Sequence, residues 1–307
     1  MRVGIVGAGG QARAHASAYR ALDVDIAGVV GRTPGRAERL GRDLDIRWWT
    51  DIQPLLDDAT VDAVSVCTPN HTHRDLVCAA LRAGKHVLCE AGPGETLDDI
   101  DAMEAAEGDR ILAVFPGGRI TDESAEIIAT AKRGDLGRAL AATHVRLVPG
   151  TGATAGSMLR FDADDLCAVF GLPDRVRASA VSDRHLFVTL EAQDSIATVE
   201  IGVGLPNNYP VTARLNVVFE AGVLDFQISF PRDVWPPPSI FTRYTSDGAT
   251  SLPLMQRGPD EAVCDHFVRS IRGEADADVL AIAHARAPLR VALAAERSIA
   301  SGIAEAP

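Results

Sequence analysis

From residue 2 to about residue 115, short apolar runs alternate with amphipathic stretches of helix length; the runs fall at 3–6, 26–30, 63–67, 86–89 and 111–115. Apolar segments that short, separated by helical periodicity, are the buried strands of repeated strand-helix-strand units. Their right-handed crossovers predict a doubly wound parallel sheet. Beyond Gly117 the pattern changes. One helical segment, 121–133, gives way to runs rich in β-branched residues at 140–148, 176–181, 186–190, 196–203, 211–219 and 223–230, separated by turn signals such as Glu220-Ala221-Gly222. These predict an open, mainly antiparallel sheet. The tail 260–304 is helical again and divided at Gly273, while Pro236-Pro237-Pro238 reads as a loop. The fold class is therefore α/β followed by α+β: a Rossmann dinucleotide-binding domain over 1–117, then a substrate and oligomerisation domain with C-terminal helices over 118–307.

Composition narrows the partners. The 307 residues are 47% hydrophobic, as in a folded protein, and carry a net charge of -12. A surface that acidic repels phosphate backbones and anionic lipid, so nucleic acid and membranes are excluded in favour of a small-molecule substrate. The five cysteines, Cys67, Cys78, Cys89, Cys167 and Cys264, show neither zinc spacing nor an even disulfide set. They read as reduced core residues with no metal expected. Met1 to Gly10 carries no basic leader and no apolar run reaches membrane-spanning length, so a cytoplasmic location is expected.

The first chemistry lies at Gly7-Ala8-Gly9-Gly10-Gln11-Ala12, directly after the first strand and at the head of a helix. Gly7 permits the tight turn, Gly9 lets backbone approach a pyrophosphate, Ala12 allows close helix-sheet packing, and the helix N-terminus faces the phosphates. The second strand ends in Gly31-Arg32-Thr33, with Arg36 one turn on, where an acid would accept the ribose of NAD. Guanidinium groups there fit the 2′-phosphate of NADP, with NAD still possible.

The third and fourth strands read Val61-Asp62-Ala63-Val64-Ser65-Val66-Cys67-Thr68-Pro69-Asn70-His71-Thr72-His73 and Ala83-Gly84-Lys85-His86-Val87-Leu88-Cys89-Glu90. This strongly resembles the family named for glucose-fructose oxidoreductase, inositol dehydrogenase and the rhizopine-catabolism protein MocA. The likeness extends to the tail, 292–302 with Ser298. It implies a nicotinamide cofactor with Thr68, Pro69, Asn70, His73 and Glu90 around its reactive half, and a homodimer or homotetramer formed through the second sheet.

The resemblance breaks where that family handles protons. Its Glu-Lys-Pro becomes Glu90-Ala91-Gly92-Pro93, and the only lysines, Lys85 and Lys132, lie elsewhere. Its second-domain aspartate and histidine become Ser157 and Phe161 when aligned on Gly171, leaving Asp164. Asp162, Asp164 and Asp165 read either as a helix-start cap or as a source of a base. His144 and His185 lie in strand-like runs. The small linker 149–156 and an apolar sheet point to a substrate bulkier and less polar than a free sugar, with Tyr209 and Arg119 as polar groups.

Losing a positioned acid or base removes roughly two to four decades of rate. The leading expectation is an atypical NAD(P)-dependent oxidoreductase acting on a carbonyl, imine or alkene in specialised metabolism, with Asp164, His185 and Tyr209 as catalytic candidates. A redox-neutral cyclase, lyase or isomerase and a catalytically silent dinucleotide-binding sensor stay open beside it.

Overall fold

A computed structural model describes all residues except 117, 151, 231–238 and 255–256; the proline tract 236–238 and Thr151 thus lie outside the described residues. The chain divides into two compact units, Met1–Pro116 with Gly258–Arg286, and Gly117–Arg257 with Ala287–Pro307.

The first unit is a six-stranded parallel sheet in the order β3-β2-β1-β4-β5-β6. Its elements run β1 (Arg2–Val6), α1 (Gly10–Ala21), β2 (Asp25–Val30), α2 (Pro34–Leu44), β3 (Trp48–Trp49), α3 (Gln53–Leu56), β4 (Ala63–Val66), α4 (His73–Arg82), β5 (His86–Cys89), α5 (Leu97–Glu107) and β6 (Leu112–Val114). Strand order reverses beside β1, and such a switch point opens a crevice at the carboxyl ends of the strands. The apolar runs became strands because both faces of the sheet are covered: Val3, Ile5, Val64, Val66, Val87 and Leu88 are all fully buried. A later helix, α8 (Pro259–Ile271), packs on α1 and buries Val263, Cys264 and Phe267. The segment Gly258–Arg286 therefore belongs with the first unit, although sequence reading assigned it to the second domain.

The second unit carries α6 (Asp122–Arg133), β7 (Ala139–Pro149), α7 (Ala155–Phe170), β8 (Arg175–Ser182), β9 (His185–Ala192), β10 (Ser195–Leu205), β11 (Val211–Phe219), β12 (Gly222–Phe230), β13 (Ser239–Thr245), β14 (Gly248–Ser251) and α9 (Arg286–Ser301). The eight strands form one sheet, β14-β13-β12-β11-β7-β10-β9-β8. Every neighbouring pair is antiparallel except β7 with β10, which run parallel at its centre. The period-two alternation buries Leu186, Val188, Leu190, Val199 and Ile201 against Leu159 and Leu166 of α7. Ser298, buried on α9, accepts from the Ala178 amide at 3.0 Å and donates to the Ile303 carbonyl at 2.6 Å, tying that helix to β8. Among the described residues no helix is long and apolar enough to cross a membrane.

Candidate active site

The first unit holds a cleft of about 760 Å³ whose walls combine the glycine turn 7–10, Gln11, the end of β2 with Arg32, Thr33 and Arg36, and the segment after β4 with Cys67, Thr68 and Pro69. Gly7 adopts φ +130°, and a Cβ there would lie 2.3 Å from the Cys67 carbonyl oxygen, so β1 and β4 approach closely only around glycine. Gly9 and Gly10 differ: a Cβ on either would meet nothing within 4 Å. Gly9 caps α1 with no side-chain hydrogen bond, so the first amides of that helix open toward free space. An open cradle at an uncapped helix N-terminus fits an anionic pyrophosphate. Ala12 is fully buried, which permits close packing of helix on sheet.

Several residues play parts the sequence did not disclose. His73 does not enter the cleft wall; it is fully buried, its Nε2 lies 2.6 Å from the Thr68 carbonyl, and burial lowers its pKa. It fixes the backbone at Thr68, and the neighbouring His71 lines the cleft instead. Thr68 also receives a hydrogen bond from the Thr72 hydroxyl at 2.8 Å. The Asn70 amide packs against Gly92, where a Cβ would be 2.5 Å away. Thr50, Asp51 and Ile52, following the short edge strand β3, complete the wall below Arg32 and Arg36; two tryptophans gave no alternating pattern from which that strand could be read.

Behind the turn lies a buried polar cluster. Glu90 Oε1 stands 2.7 Å from His15 Nε2, and the Gln11 amide reaches both Glu90 and Asp260 at 3.4 Å. Burial pushes the Glu90 carboxyl up, but the His15 ring, the Gln11 amide and the Ala91 N–H outweigh it and hold the group below the usual carboxylate range. His15 Nδ1 lies 3.2 Å from Ser65 Oγ, which the Tyr19 hydroxyl meets at 2.7 Å. Gln11, His15 and Tyr19 recur every four residues on α1, a spacing that places them on one helical face, although the sequence reading singled out only Gln11.

The catalytic candidates of the second unit are dispersed. Asp164, 5% exposed, accepts two hydrogen bonds from Arg119, both at 2.7 Å. This bidentate pair occupies the side chains expected to serve a substrate. His185 starts β9 on the sheet face opposite α7, 3.2 Å from Glu200 and stacked on Phe187. Tyr209 sits in the exposed turn 206–209. The three acids do not begin a helix: Thr154 and Ser157 form the capping box of α7, and Asp162, Asp164 and Asp165 lie buried two turns further on. Asp162 binds Arg146 at 2.5 Å and lies 3.8 Å from His144, while the Arg146 guanidinium stands over the Phe161 ring at 5.1 Å. Burial lowers the His144 pKa to about 4.

Asp165 accepts from the Gly118 N–H at 3.1 Å and the Ser124 hydroxyl at 3.0 Å, and burial beside Asp164 raises its pKa to about 7. An unfolded aspartate ionises near 3.8, so the native state holds the extra proton between roughly pH 4 and 7. Stability accordingly falls as pH rises through that window, by up to about 1.4 kcal/mol per pH unit, and levels off above it. In Asp165→Asn this slope should disappear from urea midpoints measured between pH 5 and 8.

The sequence profile of the GFO_IDH_MocA family, an oxidoreductase family with an NAD-binding Rossmann fold, matches residues 1–116. Inositol 2-dehydrogenase 4 of Saccharopolyspora erythraea is 31% identical over 246 residues, spanning 72% of this chain and 72% of its own. The chain belongs to the GFO_IDH_MocA family. Myo-inositol 2-dehydrogenase of Thermotoga maritima is 30% identical over 145 residues, but the alignment takes in only 45% of this chain and 42% of that protein. In fold, this family member superposes on aldose-aldose oxidoreductase of Caulobacter crescentus with a TM-score of 0.83 at 20% identity, covering 100% and 99% of the two chains.

Proposed function

We propose that the protein is an NAD(P)-dependent oxidoreductase of small molecules with NADP preferred. The observation carrying this reading is the open cradle at Gly9 and Gly10, at the head of an uncapped helix in the cleft. Cofactor would be held by the amides of 9–11 at its phosphates, by Arg32, Thr33 and Arg36 at the ribose, and by Thr68, Pro69 and Asn70 near the nicotinamide, which supplies the hydride donor or acceptor. Arg32 and Arg36 favour a 2′-phosphate, while Asp51 on the same wall opposes one.

Substrates follow from the relatives with a qualification. The curated relatives named above act on inositols, so a polyol or its ketone is the nearest substrate class, with carbonyls, imines and alkenes of lower polarity beside it. Ala91 and Phe161 leave proton handling to other groups, and Phe161 is already engaged by Arg146. The replacement of the family's lysine and histidine by Ala91 and Phe161 favours, as second reading, a redox-neutral reaction on the same scaffold. A homo-oligomer formed through the exposed sheet face bearing Phe187, Ile196, Ile240 and Tyr244 accords with both readings.

Fluorescence titration with NADPH and NADH tests the main reading. NADPH should bind more tightly, and Arg32→Ala with Arg36→Ala should weaken NADPH by about 10–100-fold, consistent with the loss of two charge-assisted contacts, while sparing NADH. No binding of either nucleotide would overturn the reading; binding without change in the reduced-nicotinamide absorbance across a polyol and ketone panel would favour the redox-neutral one.

A further inference from the structure

His15, Cys67 and Glu90 come from α1, the end of β4 and the end of β5, and each offers one donor atom within 4.8 Å of the others. We propose that these three side chains form a binding site for a thiophilic divalent cation, zinc in the first instance, at the inner wall of the nucleotide cleft.

Three observations converge on it. His15 is fully buried, and its Nε2 faces Glu90 Oε1 at 2.7 Å. Two of the three donors thus already converge on one point inside the fold. Second, His15 Nδ1 is engaged by Ser65 Oγ, itself met by the Tyr19 hydroxyl. An imidazole anchored through one nitrogen presents the other in a fixed direction, the arrangement that supports metal-ligating histidines. Third, Glu90 is oriented by the Ala91 N–H at 3.3 Å and the Gln11 amide at 3.4 Å, so a second donor is held from outside.

The donor set also selects the ion. One imidazole, one thiolate and one carboxylate neutralise a dication and suit zinc or cobalt; magnesium and calcium require oxygen donors throughout. Binding replaces the thiol proton of Cys67 by the metal and releases that proton to solvent, so charge and atoms balance. Donor distances of about 2.0–2.3 Å around a tetrahedral ion would place Nε2 and Oε1 roughly 3.3 Å apart, a small opening of the present contact within reach of a glutamate rotamer. Three protein ligands would leave a fourth position for water or substrate, and of the three Cys67 lines the cleft. There the ion would stabilise an alkoxide as a Lewis acid, offsetting the missing lysine at Ala91. This last role rests on the oxidoreductase reading; occupancy of the site does not.

Cobalt(II) separates the two. Titrating the purified full chain with Co²⁺ in the absence of nucleotide should give one equivalent bound, with a thiolate-to-cobalt charge-transfer band that Zn²⁺ abolishes. Cys67→Ser should remove the band, and His15→Gln should weaken binding by about 100-fold or more. Cys167→Ser, in the second unit, should leave it intact, and circular dichroism checks that each variant is folded. Absence of stoichiometric binding, or a band that survives Cys67→Ser, overturns the proposal. NADPH affinity of the unsubstituted chain, measured without added metal, judges the nucleotide reading separately.

Discussion

Asp164→Ala is expected to destabilise the second unit by about 3–5 kcal/mol, because it strands a guanidinium inside the fold. Arg119 is 13% exposed at its side chain and gives both of its short hydrogen bonds to this one carboxylate. Removing the anion leaves the cation desolvated, and that penalty exceeds what the pair contributes when intact. The loss should show as a lowered urea midpoint with an unchanged slope. Replacing both partners at once, Asp164→Leu with Arg119→Met, should recover much of it, since neither charge is then left alone. The alternative, in which Asp164 acts as a catalytic base, requires Asp164→Asn to keep wild-type stability and lose turnover; that pattern would return the residue to the chemistry.

The second large effect distinguishes two glycines that a motif treats alike. In Gly7→Ala the new Cβ would sit 2.3 Å from the Cys67 carbonyl oxygen, at a backbone φ of +130°. Backbone cannot yield as a side chain does, so strain and overpacking together should cost about 2–4 kcal/mol. Gly9→Ala meets nothing within 4 Å and has φ −103°, a value any residue adopts. Its melting temperature should stay close to wild type, while affinity for NADPH falls by about 10–100-fold as the methyl occupies the phosphate cradle. Thermal melts and nucleotide titration of the two variants test this. Equal destabilisation, or a Gly9→Ala protein that binds NADPH normally, would remove the cradle from the cofactor argument.

The pH dependence assigned to Asp165 and the buried pair at Asp164 show how differently neighbouring residues read. All three acids of α7 look like helix-start residues in sequence, because acids are common in first turns. The helix starts earlier, at a capping box built from Thr154 and Ser157, whose signal is a threonine followed three residues later by a hydroxyl side chain. Likewise the strand at 140–148 was legible from its β-branched run, yet its parallel pairing with β10 was not, since pairing direction depends on how the intervening helix crosses the sheet.

Sequence alone determined the strand-helix alternation of 2–115, the glycine turn, the apolar faces of most strands and the family resemblance, because each is written in short local segments of the chain. Only the tertiary structure decided which charges meet: Arg119 and Asp164 are 45 positions apart, and His15 joins Cys67 and Glu90 from three separate elements. Local patterns fix which face of an element is buried, but a buried polar group takes whatever partner the packing of distant elements brings within about 3 Å.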